Sequence, residues 1–387
     1  MKAIEIKKGI YWVGAIDWDL RNFHGYLTQR GSTYNAYLIV DEKITLIDTV
    51  KYYKTADMMK RICSVIDPAK IDYVISNHVE MDHSGALPAI MEKAPNAVLI
   101  ASSNGEKGLR RHYNKAWDFK VMQSGDTLNT GKYNLQFVLT PMVHWPDNML
   151  TYLPEEKILF SNDAFGQHLA SSERFDHQYP VDIIFQEAEK YYANIVLPYA
   201  NQVNKALEAA AGLSIEVIAP SHGIVWRKHI SEILMRYKKW AGNETGKKAV
   251  IIFDTMWEST TRMAEVIQEC FDDKGYSTRL CHLQHHHISD VITDIIDAEY
   301  ICVGSPTLNN NILPTVASFM SYLKGLAPAG RKAMAFGSYG WGGQSVKILS
   351  AMLEEMKIEV VESHRIQYIP AQSDLDELQE KISAAIG

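Results

Sequence analysis

Cysteine is scarce in this chain, and what there is stands scattered. Cys63, Cys270, Cys281 and Cys302 form no C-x-x-C pair. Neither a disulfide framework nor a cysteine-held iron–sulfur cluster is therefore predicted, and any electron-transfer chemistry needs a cofactor bound by other side chains. No uninterrupted apolar run reaches the roughly 18 residues of a membrane span. The N-terminal MKAIEIKKGIYWVGAID has no long apolar core of the signal-peptide kind. A basic excess is also lacking: 39 Lys and Arg face 46 Asp and Glu, a net charge of -7. That argues against a nucleic-acid binder, which presents a basic face. Together these absences predict a soluble, cytoplasmic protein with no nucleic-acid or membrane partner. Two nucleotide signatures are missing as well, the triphosphate loop G-x-x-x-x-G-K and the dinucleotide loop G-x-G-x-x-G.

What is present is an ordinary folding composition, 387 residues that are 47% hydrophobic and 22% charged. At roughly 100–200 residues per domain, two domains are expected. The chain has two rhythms. Up to about residue 225, short strand candidates alternate with turns and a few helices: NAYLIV (35–40), KITLID (43–48), YVIS (73–76), AVLIAS (97–102), LQFVL (135–139), KILFS (157–161) and IEVIAP (215–220). The breaker-rich AGNETGKK (241–248) reads as a linker. Beyond it, strands AVIIF (249–253), TRLCHL (278–283), YICVG (300–304), KAMAFG (332–337) and IEVVES (358–363) alternate with helical segments. Such alternation predicts an open parallel sheet covered on both faces.

In the first half, four strands are each followed by metal-ligating side chains. NHVEMDHSG, after strand 73–76, holds His78, Glu80, Asp82 and His83. His144 follows strand 135–139 in TPMVHWPDNM, Asp163 follows 157–161 in SNDAFG, and His222 follows 215–220 in PSHG. If these strands point one way, the side chains meet at one sheet edge. Four imidazoles and three carboxylates are too many for one tetrahedral ion. They suit two ions about 3.5–4 Å apart with a bridging carboxylate. A second histidine cluster, HLQHHH (282–287), has no such strand-end partners and reads as a solvated surface loop.

In the second half, AVIIFDTMWESTTRMAE (249–265) is a strand, a hydroxyl-rich loop and a helix start. Thr255, Ser259 and Thr260 stand where the loop enters the helix. Backbone N–H groups there, helped by hydroxyls, cradle a phosphate without a lysine. With the triphosphate and dinucleotide loops excluded, a monophosphate remains. GSPTLNNNILP (304–314) and GSYGWGGQS (337–345) follow the third and fourth strands. Loops from strands one, three and four surround a flavin at the switch point of a doubly wound sheet. Trp257, Tyr339 and Trp341 offer it aromatic faces.

These motifs carry a resemblance. The spacing H-x-E-x-D-H, with GSTYNAYLI (31–39), SNDAFGQH (161–168) and PSHG (220–223), resembles the flavodiiron proteins, also called A-type flavoproteins. Hydrolases of the metallo-β-lactamase fold carry H-x-H-x-D-H instead and bind zinc. A carboxylate in place of one imidazole makes the site harder and more anionic, which favours iron. The phosphate loop resembles the T-x-T-G-x-T loop of flavodoxins, with Glu258 where flavodiiron proteins commonly have glycine.

The resemblance spans essentially the whole chain. It implies an α/β protein: a metallo-β-lactamase-like αββα sandwich over residues 1–246, then a flavodoxin-like doubly wound parallel sheet over 247–387. It implies one iron held by His78, Glu80 and His144, another by Asp82, His83 and His222, and Asp163 as the bridge. His24 and Tyr191 match positions near the open face of the centre, with His168 behind it. FMN would be bound by Thr255, Met256, Trp257, Glu258, Ser259 and Thr260, by Ser305, Pro306, Thr307, Leu308 and Asn310, and by Ser338, Tyr339, Gly340, Trp341 and Gly342. The implied activity is reduction of O₂ to water, NO to N₂O, or both. No stretch is left for a fused rubredoxin or flavin reductase, so electrons are expected from a separate rubredoxin-like protein or reduced F420. The implied assembly is a head-to-tail homodimer or a dimer of dimers. The alternatives are a dinuclear zinc hydrolase with a flavodoxin-like appendage, and a flavin-only carrier with a vestigial metal site.

Overall fold

A computed structural model of the chain describes residues 1–386. They form two compact units: Met1–Tyr192 with Tyr199–Lys238, and Ala193–Pro198 with the chain from Lys239 onward.

The first unit is built on two large sheets and also holds two two-stranded pairs. One has seven strands, in the spatial order Ile4–Lys7, Ile10–Trp12, Tyr37–Ile39, Ile44–Ile47, Ile71–Ile75, Val98–Ala101 and Phe119–Val121. The other has five, in the order Thr127–Asn129, Asn134–Leu139, Met149–Leu153, Ile158–Asn162 and Val217–Pro220. Side chains alternate across a strand, so each apolar run supplies two faces. Ile39, Ile47, Ile75 and Ile100 turn inward against Leu135, Phe137, Ile158 and Phe160 of the second sheet. Their neighbours Leu38, Leu46, Val74 and Leu99 turn outward, beneath Met58 and Ile62 of helix Thr55–Cys63 and Leu87 and Ile90 of helix Leu87–Lys93. Each such aliphatic side chain contributes about 1.5–3 kcal/mol on burial. A one-residue slip would therefore turn a whole strand inside out.

Strand direction places the site. Ile158–Asn162 runs parallel to Val217–Pro220, and two antiparallel steps relate it to Asn134–Leu139. All three carboxyl ends lie at one edge of the second sheet.

The second unit is a five-stranded, wholly parallel sheet. Its order is Ser277–His282, Gly246–Phe253, Ala298–Gly304, Lys332–Tyr339, Glu359–Gln367, the doubly wound order 2-1-3-4-5. Helices Ser259–Asp273 and Gln372–Ala385 pack on one face through Met263, Ile267, Leu378 and Ile382. The segment 241–248 is more ordered than its breakers suggest. Helix Ile230–Ala241 runs into it and strand Gly246–Phe253 begins within it, so position 246/247 lies inside a strand.

HLQHHH is not a solvated loop throughout. His285 is exposed, but the His282 ring packs 5.1 Å from Phe253 and its Nε2 lies 3.4 Å from the buried Asp254 carboxylate. His287 caps helix Ile288–Ile295 by accepting the Ser289 N–H. The loop follows a strand end, where the sheet's own apolar edge covers part of it.

Among the described residues, no helix is long and apolar enough to cross a membrane.

Candidate metal centre and flavin site

The first sheet delivers one half of the metal site. After strand Ile71–Ile75 the chain turns through His78 and Glu80 into the one-turn helix Met81–Ser84, which carries Asp82 and His83. The second sheet delivers His144, Asp163 and His222 from its three aligned strand ends. Apart from Glu80 and His144, which keep a little solvent contact, all these side chains are at least 97% buried.

The donors form two groups: His78, Glu80, His144 and Asp163, and then Asp82, His83 and His222. Asp163 joins them. Its Oδ2 lies 3.2 Å from His144 Nε2 and 3.6 Å from His78 Nε2, while its Oδ1 lies 3.0 Å from His83 Nε2 and 3.5 Å from His222 Nε2. One oxygen therefore faces each group.

Several of these buried atoms lack a partner in hydrogen-bond geometry: His78 Nε2, both Asp82 carboxylate oxygens and Asp163 Oδ1. Native structures rarely leave buried polar atoms so. One cation in each group would satisfy them all, so the residues present fit a dinuclear centre. The electrostatics agree. Burial alone would lower the imidazole pKa values. Against it, the Asp147 and Glu80 carboxylates push His78 up to about 10, and Asp163 with Glu80 pushes His144 up to about 9. The pocket is anionic enough to demand positive charge, which metal ions supply in place of protons.

The ring nitrogens away from the centre are anchored. His78 Nδ1 lies 2.9 Å from Asp147 Oδ2, and His222 Nδ1 lies 2.7 Å from the Thr33 carbonyl. Each anchor holds a proton on Nδ1 and leaves Nε2 free to ligate. Behind them, Asp48 is fully buried and accepts both the backbone and side-chain N–H of Asn77, whose own Oδ1 accepts the Thr151 hydroxyl. This chain of bonds ties the His78 loop to the second sheet.

The three further candidates lie around the donors. His24 is largely exposed and its Nε2 sits 3.2 Å from Glu80 Oε1. Tyr191 is buried, and burial together with the Asp163 and Asp82 charges holds its hydroxyl proton firmly. His168 is buried 4.8 Å, ring to ring, from His222; Ser32 Oγ meets its Nδ1 at 2.8 Å, and burial beside His222 keeps the ring neutral. Neither Tyr191 nor His168 is in the donor groups. Asp147, Asp48 and Thr33 went unread in the sequence. Asp147 stands three residues after His144, and that proximity was its only signal.

In the second unit, a cavity of about 820 Å³ opens at the carboxyl ends of the strands. Met256, Trp257, Ser259, Pro306, Thr307, Leu308, Asn310, Ser338, Tyr339, Gly340, Trp341 and Gly342 line it, as do Asn309, Tyr368 and Ile369, which the sequence did not single out. The last two belong to the loop after the fifth strand. The size is right for a flavin mononucleotide. Four expected residues lie outside that lining. Ser305 and Thr260 are buried, and Thr260 Oγ1 meets Ser338 Oγ at 3.0 Å. Thr255 has a buried hydroxyl with no partner, and Glu258 occupies the cap position of helix Ser259–Asp273 without making a side-chain cap. The N–H groups of that first turn and the Thr255 hydroxyl are thus left for a phosphate. Glu258 adopts φ 62°, the left-handed region where glycine is at ease. Gly337 brings the third and fourth strand ends together, since a Cβ there would lie 2.0 Å from the Ser305 carbonyl oxygen.

A β-lactamase-like fold with a two-metal donor set, joined in one chain to a flavodoxin fold with a flavin-sized cavity, defines a flavin- and metal-dependent class of protein. The family described as ODP family beta lactamase matches residues 33–223, and Flavodoxin matches residues 251–382. The chain is 43% identical to a rubredoxin-oxygen oxidoreductase of Megalodesulfovibrio gigas, over 98% of this chain and 96% of that protein. It is 44% identical to a nitric oxide reductase of Moorella thermoacetica, over 100% of this chain and 99% of that one. The crystal structure of the flavodiiron protein from Giardia intestinalis superposes with a TM-score of 0.95 at 34% identity, over 100% of this chain and 96% of that one. The chain belongs to the flavodiiron protein family, and its cofactors are FMN and a pair of iron ions.

Proposed function

We propose that the protein is an oxidoreductase that reduces O₂ to water, NO to nitrous oxide, or both, at a diiron centre fed by FMN. The observation that carries this reading is Asp163, whose two oxygens face two separate donor groups, in a chain that also holds a flavin cavity. When bound, FMN and the iron pair supply the electrons and the open coordination positions for the gas.

In this reading His78, Glu80 and His144 hold one ion, Asp82, His83 and His222 hold the other, and Asp163 bridges. Two ferrous ions carry four positive charges; Glu80, Asp82 and Asp163 offset three of them, as burial requires. Asp147 and the Thr33 carbonyl fix the histidine tautomers. His24, at the solvent side of Glu80, is placed to hold or deliver a proton at the site's edge. Tyr191 and His168 close the wall beside His222 and keep water out. In the flavin site the expected residues from Thr255 to Gly342 bind the phosphate and ring, with Tyr368 and Ile369 completing the wall.

Electrons come from a separate donor, a rubredoxin-like protein or reduced F420. The Megalodesulfovibrio gigas relative, a rubredoxin-oxygen oxidoreductase, supports the first. The protein works in the cytoplasm as a head-to-tail homodimer in which the flavin of one protomer faces the iron of its partner. The exposed rings of Trp257 and Trp341 at the cavity rim support such a face.

The test is anaerobic reduction of the iron- and FMN-loaded protein, followed by stopped-flow mixing with O₂ and with NO. Oxidation of flavin and metal with release of water or N₂O is expected. Two zinc ions per chain, with thioester hydrolysis and no gas consumed, would overturn the proposal.

A further inference from the structure

A second cavity, of about 480 Å³, lies within the first unit against the second sheet. Leu150 and Leu159 form its floor, on the sheet face opposite the Ile158 and Phe160 core. Helix Ala200–Ala210 forms the roof with Val203, Ala206, Leu207 and Ala210, spaced along one helical face. Alanine at 206 and 210, where leucine would close the gap, keeps the space open. Ala206, Leu207 and Ala210 are only half-buried, so the space opens to solvent along the helix.

The walls say what it takes. The one cation in the lining, Lys238, is exposed at the rim, as is Met235. A water molecule needs two to four polar partners, and few face this space. Thr140 supplies one, a buried hydroxyl with no partner in the protein. Val143 and Ala164, both buried, line the cavity as well. Val143 directly precedes His144 and Ala164 directly follows Asp163, and those two ligands meet at 3.2 Å. The apolar lining thus runs from an exposed rim up to the residues covalently bonded to two donors of one metal group.

We propose that this cavity binds and delivers the small apolar gas to the metal centre. The proposal rests on the gas-reductase reading above. Water and anions gain nothing from such walls, whereas an uncharged diatomic gas concentrates there.

Xenon, an apolar gas probe, tests this without turnover. Crystals of the full-length protein pressurised with xenon should show the atom between Leu159 and Leu207. Ala206→Phe, or Ala210→Leu should the first variant not fold, should abolish that peak. The same variant should raise the KM for O₂ or NO several-fold while leaving kcat and iron content unchanged. An absent xenon peak, a lost peak with unchanged KM, or a co-purified acyl chain with its carboxylate at Lys238 would each overturn the proposal. Xenon binding in an unsubstituted, iron-loaded protein that consumes neither gas would instead refute the parent reading.

Discussion

Asp147 Oδ2 lies 2.9 Å from Nδ1 of His78 and also accepts the Val79 backbone N–H at 2.8 Å. One carboxylate oxygen therefore fixes both the ring and the backbone of the loop that enters the metal site. Loss of such a partner typically costs 10–100-fold in metal affinity. Asp147→Ala is expected to lower iron affinity by about that factor, read as metal content after dialysis against a graded chelator. Full iron retention would show that His78 is oriented by packing alone.

Glu80 is the position that separates this donor set from a zinc hydrolase motif, and it also meets His24. Glu80→His removes a negative charge and substitutes a softer ligand. The variant is expected to carry more zinc and less iron than the parent when both metals are offered, with gas reduction falling in proportion. Elemental analysis beside an anaerobic assay checks it; unchanged iron content and activity would refute this role for the carboxylate.

Glu258 adopts a left-handed conformation at the mouth of the phosphate loop. That conformation costs a residue with a Cβ roughly 1–2 kcal/mol. Glu258→Gly relieves it and removes a negative charge from beside a phosphate. Stability of the flavin-free protein should rise by about 1 kcal/mol in urea unfolding. The Kd for FMN should also fall, measured by quenching of flavin fluorescence. Weaker FMN binding would mean that the Glu258 side chain itself contacts the cofactor.

Asp17 is buried beside the hydroxyls of Tyr34 and Tyr53 and the ammonium of Lys54. Burial pushes its pKa up, but the two tyrosine bonds and Lys54 outweigh it and hold the carboxyl below its ordinary value. A lowered folded-state pKa contributes stability that is present above the unfolded value of about 3.9 and is lost as pH falls through the folded value. Asp17→Asn should therefore lower Tm at neutral pH, and the gap from the parent should close progressively below about pH 4. A gap independent of pH would assign the effect to packing.

The site was legible where function and strand pattern coincide. The ligand candidates all stand in loops that follow apolar runs, so the run announces both the strand and the place where the side chains emerge. What was not legible acts across the sheets. Thr33 contributes a carbonyl, which every residue has. Asp48 sits at φ 55° after strand Ile44–Ile47 and reads as an ordinary turn aspartate until Asn77 is seen against it. Tyr368 and Ile369 carry no sequence signal of their own, because they follow the fifth strand and the flavin pattern points to the loops after strands one, three and four. His282 reads as solvent-facing because four histidines in six residues are polar, yet one side of that loop is pressed against Phe253.

The donor set is split between two sheets, with His78, Glu80, Asp82 and His83 on one and His144, Asp163 and His222 on the other. The ions are therefore fasteners as well as reagents. No contiguous stretch of the unfolded chain can assemble either group, so metal affinity is spent on holding the sandwich shut. Starving the protein of iron should then do more than silence it: the seam loosens at the edge that the two donor groups share, and the apo form becomes the species that proteases find first.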